Sequence, residues 1–150
     1  MRWSVGEATL QRLLEQGHIE RVQGAHPDGG SWLGRARRGL DAARLITEAA
    51  PGSSIILAYD AARQACVALL AQQGLRPTTA GGHYAIEEAV RAQFGNSLRA
   101  FGGLRRRRNE LEYPAYPTEE ASASEAVEAL ETAAEIIDAV ARLLPNLGLF

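Results

Sequence analysis

Between Ser53 and Gly74 one helical stretch carries two apolar stripes, and this double patterning limits the folds open to the chain. Ile55, Ala58, Ala62, Ala65 and Leu69 recur at steps of three and four and are mostly small. Ile56, Tyr59, Arg63, Cys66 and Leu70 form a second, bulkier seam at the same spacing. Small side chains let a neighbouring helix approach closely, and large ones fill volume. A helix with two usable faces belongs at the centre of a helical bundle.

The other segments repeat the helical period, punctuated by glycine and proline, and none shows convincing strand alternation. Ser4 and Glu7 have the spacing of a capping box, Leu10, Leu13 and Leu14 line one face, and Gly17 closes that helix. Residues 1–27 therefore read as a helical arm packed on a bundle spanning 31–144, with a loop over Gly24–Gly30. A second helix is expected from near Ser31 to Ala50, with Leu33, Ala36, Leu40, Ala43 and Ile46 or Thr47 as its stripe. Pro51-Gly52 stops it, and Ser53 or Ser54 caps the central helix. Residues 75–82 read as a loop, and a fourth helix covers about 83–94 before Gly95. The stretch from Leu98 to Tyr113 is interrupted by Gly102-Gly103. It is predicted to end at Glu112, because Pro114 disfavours helical geometry at Tyr113. The last helix is expected from Thr118 or Ser122 to Leu144. Its seam is Val127, Leu130, Ala134, Ile137, Ala141 and Leu144, opposite an acidic face of Glu128, Glu131, Glu135 and Asp138.

A chain of 150 residues suffices for one core without staples, and 46% apolar residues is an ordinary globular share. The net charge of -2 gives no global attraction to nucleic acid or to an anionic membrane, so any pull on phosphate is local. Cys66 is the sole cysteine, which excludes an internal disulfide and fits a reducing, cytoplasmic setting. The first residues lack the pattern of a signal peptide, and no apolar run approaches the roughly 18 residues of a membrane span. A soluble protein without a membrane partner is expected.

The most informative segment is Phe101 to Tyr116, FGGLRRRRNELEYPAY. Four consecutive arginines look like a phosphate patch, but successive residues rotate about 100° around a helix, so the four cannot share a face. Steps of three and four from Phe101 and Leu104 to Leu111 pass through position 108, so Arg108 occupies a slot where leucine is expected. Burying an unpaired guanidinium is costly. Either Glu112 pairs with it at i+4, or Arg108 faces a cleft or dimer seam and takes a phosphate. Arg105, Arg106 and Arg107, with Tyr116 beyond, are the accompanying nucleic-acid-binding candidates, although Glu110 at i+4 also offers Arg106 an ordinary surface pair.

Other chemistry is thinner. His18, His26 and His83 lack metal-ligand spacing and read as loop or helix-end residues; His83 serves a site only if the fold brings it to Arg108. Gly81-Gly82 lacks the spacing of a phosphate loop. Tyr59, Asp60 and Arg63 read as a polar cluster on the central helix, satisfied or functional. No cofactor or metal site is expected.

Several segments in order resemble the HEPN superfamily. Residues 36–46, ARRGLDAARLI, look like its first bundle helix, and residues 58–70, AYDAARQACVALL, like its second. Residues 73–83 are similar to the loop that follows. Arg108-Asn109 with Tyr113 falls where the family carries arginine, a polar residue, a spacer and histidine. The resemblance covers about 33–140. It implies an all-α, up-and-down bundle of four to five helices, here with the additional N-terminal arm, often a homodimer. In active members the motif arginine and histidine cleave RNA without metal, and many members are toxins paired with a small nucleotidyltransferase antitoxin. By that likeness Arg108, Asn109 and Tyr113 are the catalytic candidates. Tyrosine in place of histidine departs from the pattern, because a phenol is a poor general base at neutral pH. A phenol can still donate a hydrogen bond to phosphate or stack on a base. The expected function is thus RNA or nucleotide binding with altered or lost ribonuclease chemistry. The rival is a non-enzymatic interaction bundle in which the arginines pair with the acidic face of the last helix, in the same or the partner chain.

Overall fold

The computed structural model describes residues 3–24, 28–116 and 120–150, and the two-seamed segment is its axis, α3, Pro51–Gln72. All five residues of the small seam are fully buried; in the larger seam Tyr59, Cys66 and Leu70 are buried, and Ile56 and Arg63 half-buried. Around α3 pack α2 (Gly29–Leu45), α4 (Gly82–Phe94), α5 (Ala100–Glu112) and α6 (Ala123–Leu143). The result is an all-α bundle. By length and composition α3 would pass as a membrane span, contrary to the sequence expectation, but the other helices bury most of it.

Helix α2 ends at Leu45, five residues earlier than expected. Pro51 does more than stop it: proline needs no N–H at the first helical position, and it opens α3. Ser54 does not cap α3. Its buried hydroxyl donates to the Ala43 carbonyl at 2.8 Å, and Thr47 Oγ1 donates to the Arg44 carbonyl at 3.1 Å. These bonds satisfy carbonyls orphaned at the end of α2.

The arm contains α1 (Glu7–Glu15), but the capping box does not form. The helix starts instead at Gly6, with φ 76°, where an added Cβ would lie 2.7 Å from the Ala92 backbone. That close approach docks α1 on α4. Gly17, with φ 72°, closes α1 through its N–H to the Leu14 carbonyl. Two strands follow that the sequence reading did not contain. β1 (Ile19–Arg21) pairs antiparallel with β2 (Leu75–Pro77), Ile19 opposite Pro77. Three residues are too few to display a period of two, and the partner lies over fifty residues away. Leu10, Leu13, Ile19, Leu70, Leu75, Ala85 and Ala89 form a second core beneath this ribbon.

Helix α5 runs unbroken through Gly102-Gly103, which were expected to interrupt it. Gly102 is buried, and a Cβ there would meet Glu87 Oε1 at 2.6 Å, so glycine permits α5 to lie against α4. Ser122 caps α6, accepting from the Glu125 N–H at 3.1 Å; Thr118, the alternative start, lies outside the described residues. The buried face of α6 is Ala126, Leu130, Ala133, Ile137 and Val140, rotated from the expected seam so that Val127 is exposed and Ala134 and Ala141 are half-buried. An alanine-rich helix offers overlapping stripes, and packing against α3 and α2 buries the one through Ala126, Leu130, Ala133, Ile137 and Val140. Glu128, Glu131, Glu135 and Asp138 face solvent as expected.

Candidate functional site

The four arginines of α5 part company once the helix is packed. Arg105 turns toward α4 and pairs with Glu87, a carboxylate whose side chain is only 4% exposed, and Arg91 pairs with the same carboxylate. The Arg105 guanidinium also lies 5.6 Å from the Tyr84 ring centre. Arg107 turns the other way, to Glu125 on α6 and to Glu110 at 3.0 Å. Its bond to Glu125 holds the guanidinium more firmly protonated. Glu110 was expected to serve Arg106; it serves Arg107, three residues back on the same face. Arg106 is exposed and points toward α4 beside Gly102.

Arg108 differs from its neighbours. It is half-buried, and its Nε is buried with no hydrogen-bond partner among the described residues. Nη1 donates to Asn109 Oδ1 at 3.2 Å, which orients the guanidinium without neutralising it. The expected Arg108–Glu112 pair is not formed: Glu112 faces solvent, and no carboxylate of the described residues lies within ion-pairing distance of Arg108. Within the chain, Arg107 pairs with α6 through Glu125 in its first turn, a residue outside the acidic face of Glu128, Glu131, Glu135 and Asp138. Tyr113 and Tyr116 lie just past the end of α5, 78% and 71% exposed.

Opposite α5, the polar cluster on α3 is not a closed network. The Tyr59 ring is fully buried and stacks on Phe101 of α5, ring centres 5.5 Å apart and 10° from parallel. Phe101, Arg105 and Arg108 stand four and three residues apart on one face, so this stack sets where Arg108 sits relative to α3. The Tyr59 hydroxyl meets His83 Nδ1 at 3.0 Å. Burial pushes the Tyr59 phenol above its ordinary range. Burial likewise lowers the His83 imidazole, followed by the charges of Arg63 and Arg108, with Asp60 opposing. Arg63 approaches Asp60 at 3.6 Å, too far for a hydrogen bond, and its Nε is also buried and unbonded.

The fold therefore places His83 within electrostatic reach of Arg108, a proximity to which the sequence reading gives little weight. A signal was available: Tyr59 and Arg63 stand one turn apart on the bulkier seam, and the helix packed against them starts at Gly82-His83. Of the other histidines, His18 is half-buried with its backbone carbonyl bonded to Thr78, and His26 lies outside the described residues. No group of histidine, cysteine or acidic side chains fit to hold a metal occurs among the described residues. Burial pushes the Cys66 thiol far above its ordinary range, as expected for a core residue. Arg63 also lines a largely apolar cavity of about 480 Å³, bounded by Val22, Trp32, Val67, Leu75 and Pro77.

The HEPN domain sequence profile matches residues 30–143, most of the chain. The chain belongs to the HEPN domain family, and the all-α bundle described above is of that type. Neither a curated protein nor a solved structure matches it. Family membership points to a role on RNA or nucleotides; HEPN domains often form dimers.

Proposed function

We propose that this HEPN-domain protein binds RNA, with Arg108 taking a backbone phosphate and Asn109 orienting it. The carrying observation is that Arg108 keeps its charge unspent: Arg105 and Arg107 are neutralised by Glu87 and Glu125, whereas no carboxylate of the described residues reaches Arg108. A guanidinium presents five N–H donors in a plane that matches phosphate oxygens. The exposed rings of Tyr113 and Tyr116 flank the same end of α5 and offer surfaces on which unpaired bases stack. The working assembly is a homodimer, the arrangement the family often adopts, and a nucleotidyltransferase antitoxin is the partner this reading favours.

Fluorescence anisotropy with a labelled single-stranded RNA tests the reading. Arg108→Ala is expected to weaken binding at least about tenfold, as for loss of a charge-assisted hydrogen bond. Arg107→Ala, which removes an already neutralised charge, is expected to change binding less than about threefold. Equal effects of the two substitutions on folded protein would remove Arg108 from the role. Incubation of total RNA with wild type and Arg108→Ala reads out any cleavage in parallel.

A further inference from the structure

Two buried guanidinium Nε–H donors on different helices, Arg63 on α3 and Arg108 on α5, have no acceptor among the described residues. Native structures rarely leave such donors unmet, and each instance asks for a ligand, a water or a mechanism. Arg63 stands one turn from Tyr59 on α3, and Arg108 one turn from Arg105, whose guanidinium lies 5.6 Å from the ring of Tyr84, the neighbour of His83; both charges are felt at Tyr59 and His83. The charged and titratable groups facing His83 are Tyr59, Asp60 and Arg63 from α3, and Arg105 and Arg108 from α5. Arg105 is held by Glu87, and Asp60 stands at 3.6 Å from Arg63, which leaves a cationic excess beside the imidazole.

Satisfying the buried hydroxyl assigns the tautomer. Tyr59 Oη has no partner other than His83 Nδ1 among the described residues, so its hydrogen goes to Nδ1. In the neutral ring Nε2 then carries the remaining hydrogen. The Nε2–H from α4 and the Nε–H groups from α3 and α5 are thus donors from three helices. A planar carboxylate offers two oxygens, whereas a phosphodiester offers two non-bridging oxygens that share one negative charge and two bridging ones, arranged tetrahedrally, which suits donors arriving from three directions.

We propose that His83, held on the Tyr59 hydroxyl, joins Arg63 and Arg108 in binding one phosphodiester group, and takes up a proton from solvent at Nδ1 as that anion arrives, the Tyr59 hydroxyl turning from donor to acceptor and directing its own hydrogen to the anion. This rests on the RNA-binding reading and extends it to two residues outside the arginine run. The free protein disfavours an imidazolium because water is partly excluded from the ring and its neighbours are cationic. A bound phosphate supplies the missing negative charge, and an opposite charge within a few ångströms favours the protonated ring. Proton uptake and anion binding are therefore linked: each strengthens the other.

The probe is a 2′-O-methyl uridine dinucleotide, an uncleavable phosphodiester whose single charge stays constant over the histidine range. The nitrogen-15 signals of His83 are followed through pH, with and without saturating dinucleotide. Saturation is expected to raise the His83 midpoint by about one pH unit or more. By linkage the dinucleotide then binds about tenfold tighter near pH 5 than near pH 8. His83→Gln keeps a donor but cannot gain charge, so its affinity is expected to be flat over that range. Arg63→Gln is expected to weaken binding at least about tenfold. An unmoved His83 midpoint together with pH-independent wild-type affinity overturns this proposal; if Arg108→Ala still weakens binding, the RNA-binding reading survives it. A wild-type dinucleotide affinity unaffected by both Arg63→Gln and Arg108→Ala overturns both.

Discussion

Glu87 decides which of the arginines stays available, and replacing it by alanine is the sharpest perturbation of the network. Its carboxylate is almost completely buried and receives Arg105 and Arg91. The Arg91 side chain is 60% exposed, so that pair contributes little. Arg105 is 20% exposed, and truncating Glu87 leaves its guanidinium in a poorly solvated slot against α4. Breaking a buried pair in this way costs about 3–5 kcal/mol. Partial access of water to Arg105 places the expected loss near the lower bound, roughly 3 kcal/mol. For a chain of this size the corresponding fall in melting temperature is about 6–12 °C. Urea denaturation followed by circular dichroism measures the free energy, and a thermal scan checks it. Glu87→Gln keeps the shape and one acceptor, and is expected to lose less than the alanine variant. A loss below about 1 kcal/mol for Glu87→Ala would refute the reasoning. It would mean that Arg105 finds water or another carboxylate at no cost, and that Glu87 does not govern the direction of the arginine run.

Other perturbations test separate links. Gly6→Ala forces a side chain into left-handed backbone and against the Ala92 backbone, so it is expected to cost at least about 1–3 kcal/mol and to loosen α1, seen as faster amide exchange in that helix. Tyr59→Phe keeps the stack on Phe101 but strips His83 of its partner, with an expected loss of about 0.5–1.5 kcal/mol by urea titration. His83 has a lowered folded-state pKa, so the unfolded chain binds the proton more readily. This contribution to stability is whole above the ordinary histidine value near pH 6.5 and fades as pH falls below it. His83→Gln is expected to flatten that part of the stability–pH curve. Cys66, buried with its thiolate strongly disfavoured, is expected to react with a thiol reagent only at the rate of opening or unfolding.

The helical frame was legible because long segments repeat a period: α3, α4 and α5 end at or within a residue or two of their glycine and proline marks. The double seam of α3 correctly placed it at the centre. What escaped notice was short or non-local. The β1–β2 ribbon has three residues per strand, and Pro51 was read as a stop because a proline marks a boundary without saying which helix it belongs to. On α6 the residue types favour burying Val127, whereas the structure buries Ala126 and Ala133 and exposes Val127, because a helix this rich in alanine carries several stripes of similar hydrophobicity. In the site, the anomaly at Arg108 was visible as a break in the Phe101–Leu104–Leu111 stripe. Which carboxylates serve Arg105 and Arg107 was not visible, since Glu87 and Glu125 lie on other helices. The Tyr59–His83 bond spans 24 residues and two helices, and only the packing of α4 on α3 reveals it.

The central claim is that Arg108 spends its charge on a nucleic-acid phosphate, and the salt dependence of RNA affinity measures this most directly. For single strands the slope of log K against log salt is about 0.7 per phosphate contact. Arg108→Ala is expected to reduce that slope by about 0.7 and to lower affinity across unrelated RNA sequences. An unchanged slope and affinity in a folded Arg108→Ala protein would contradict the account.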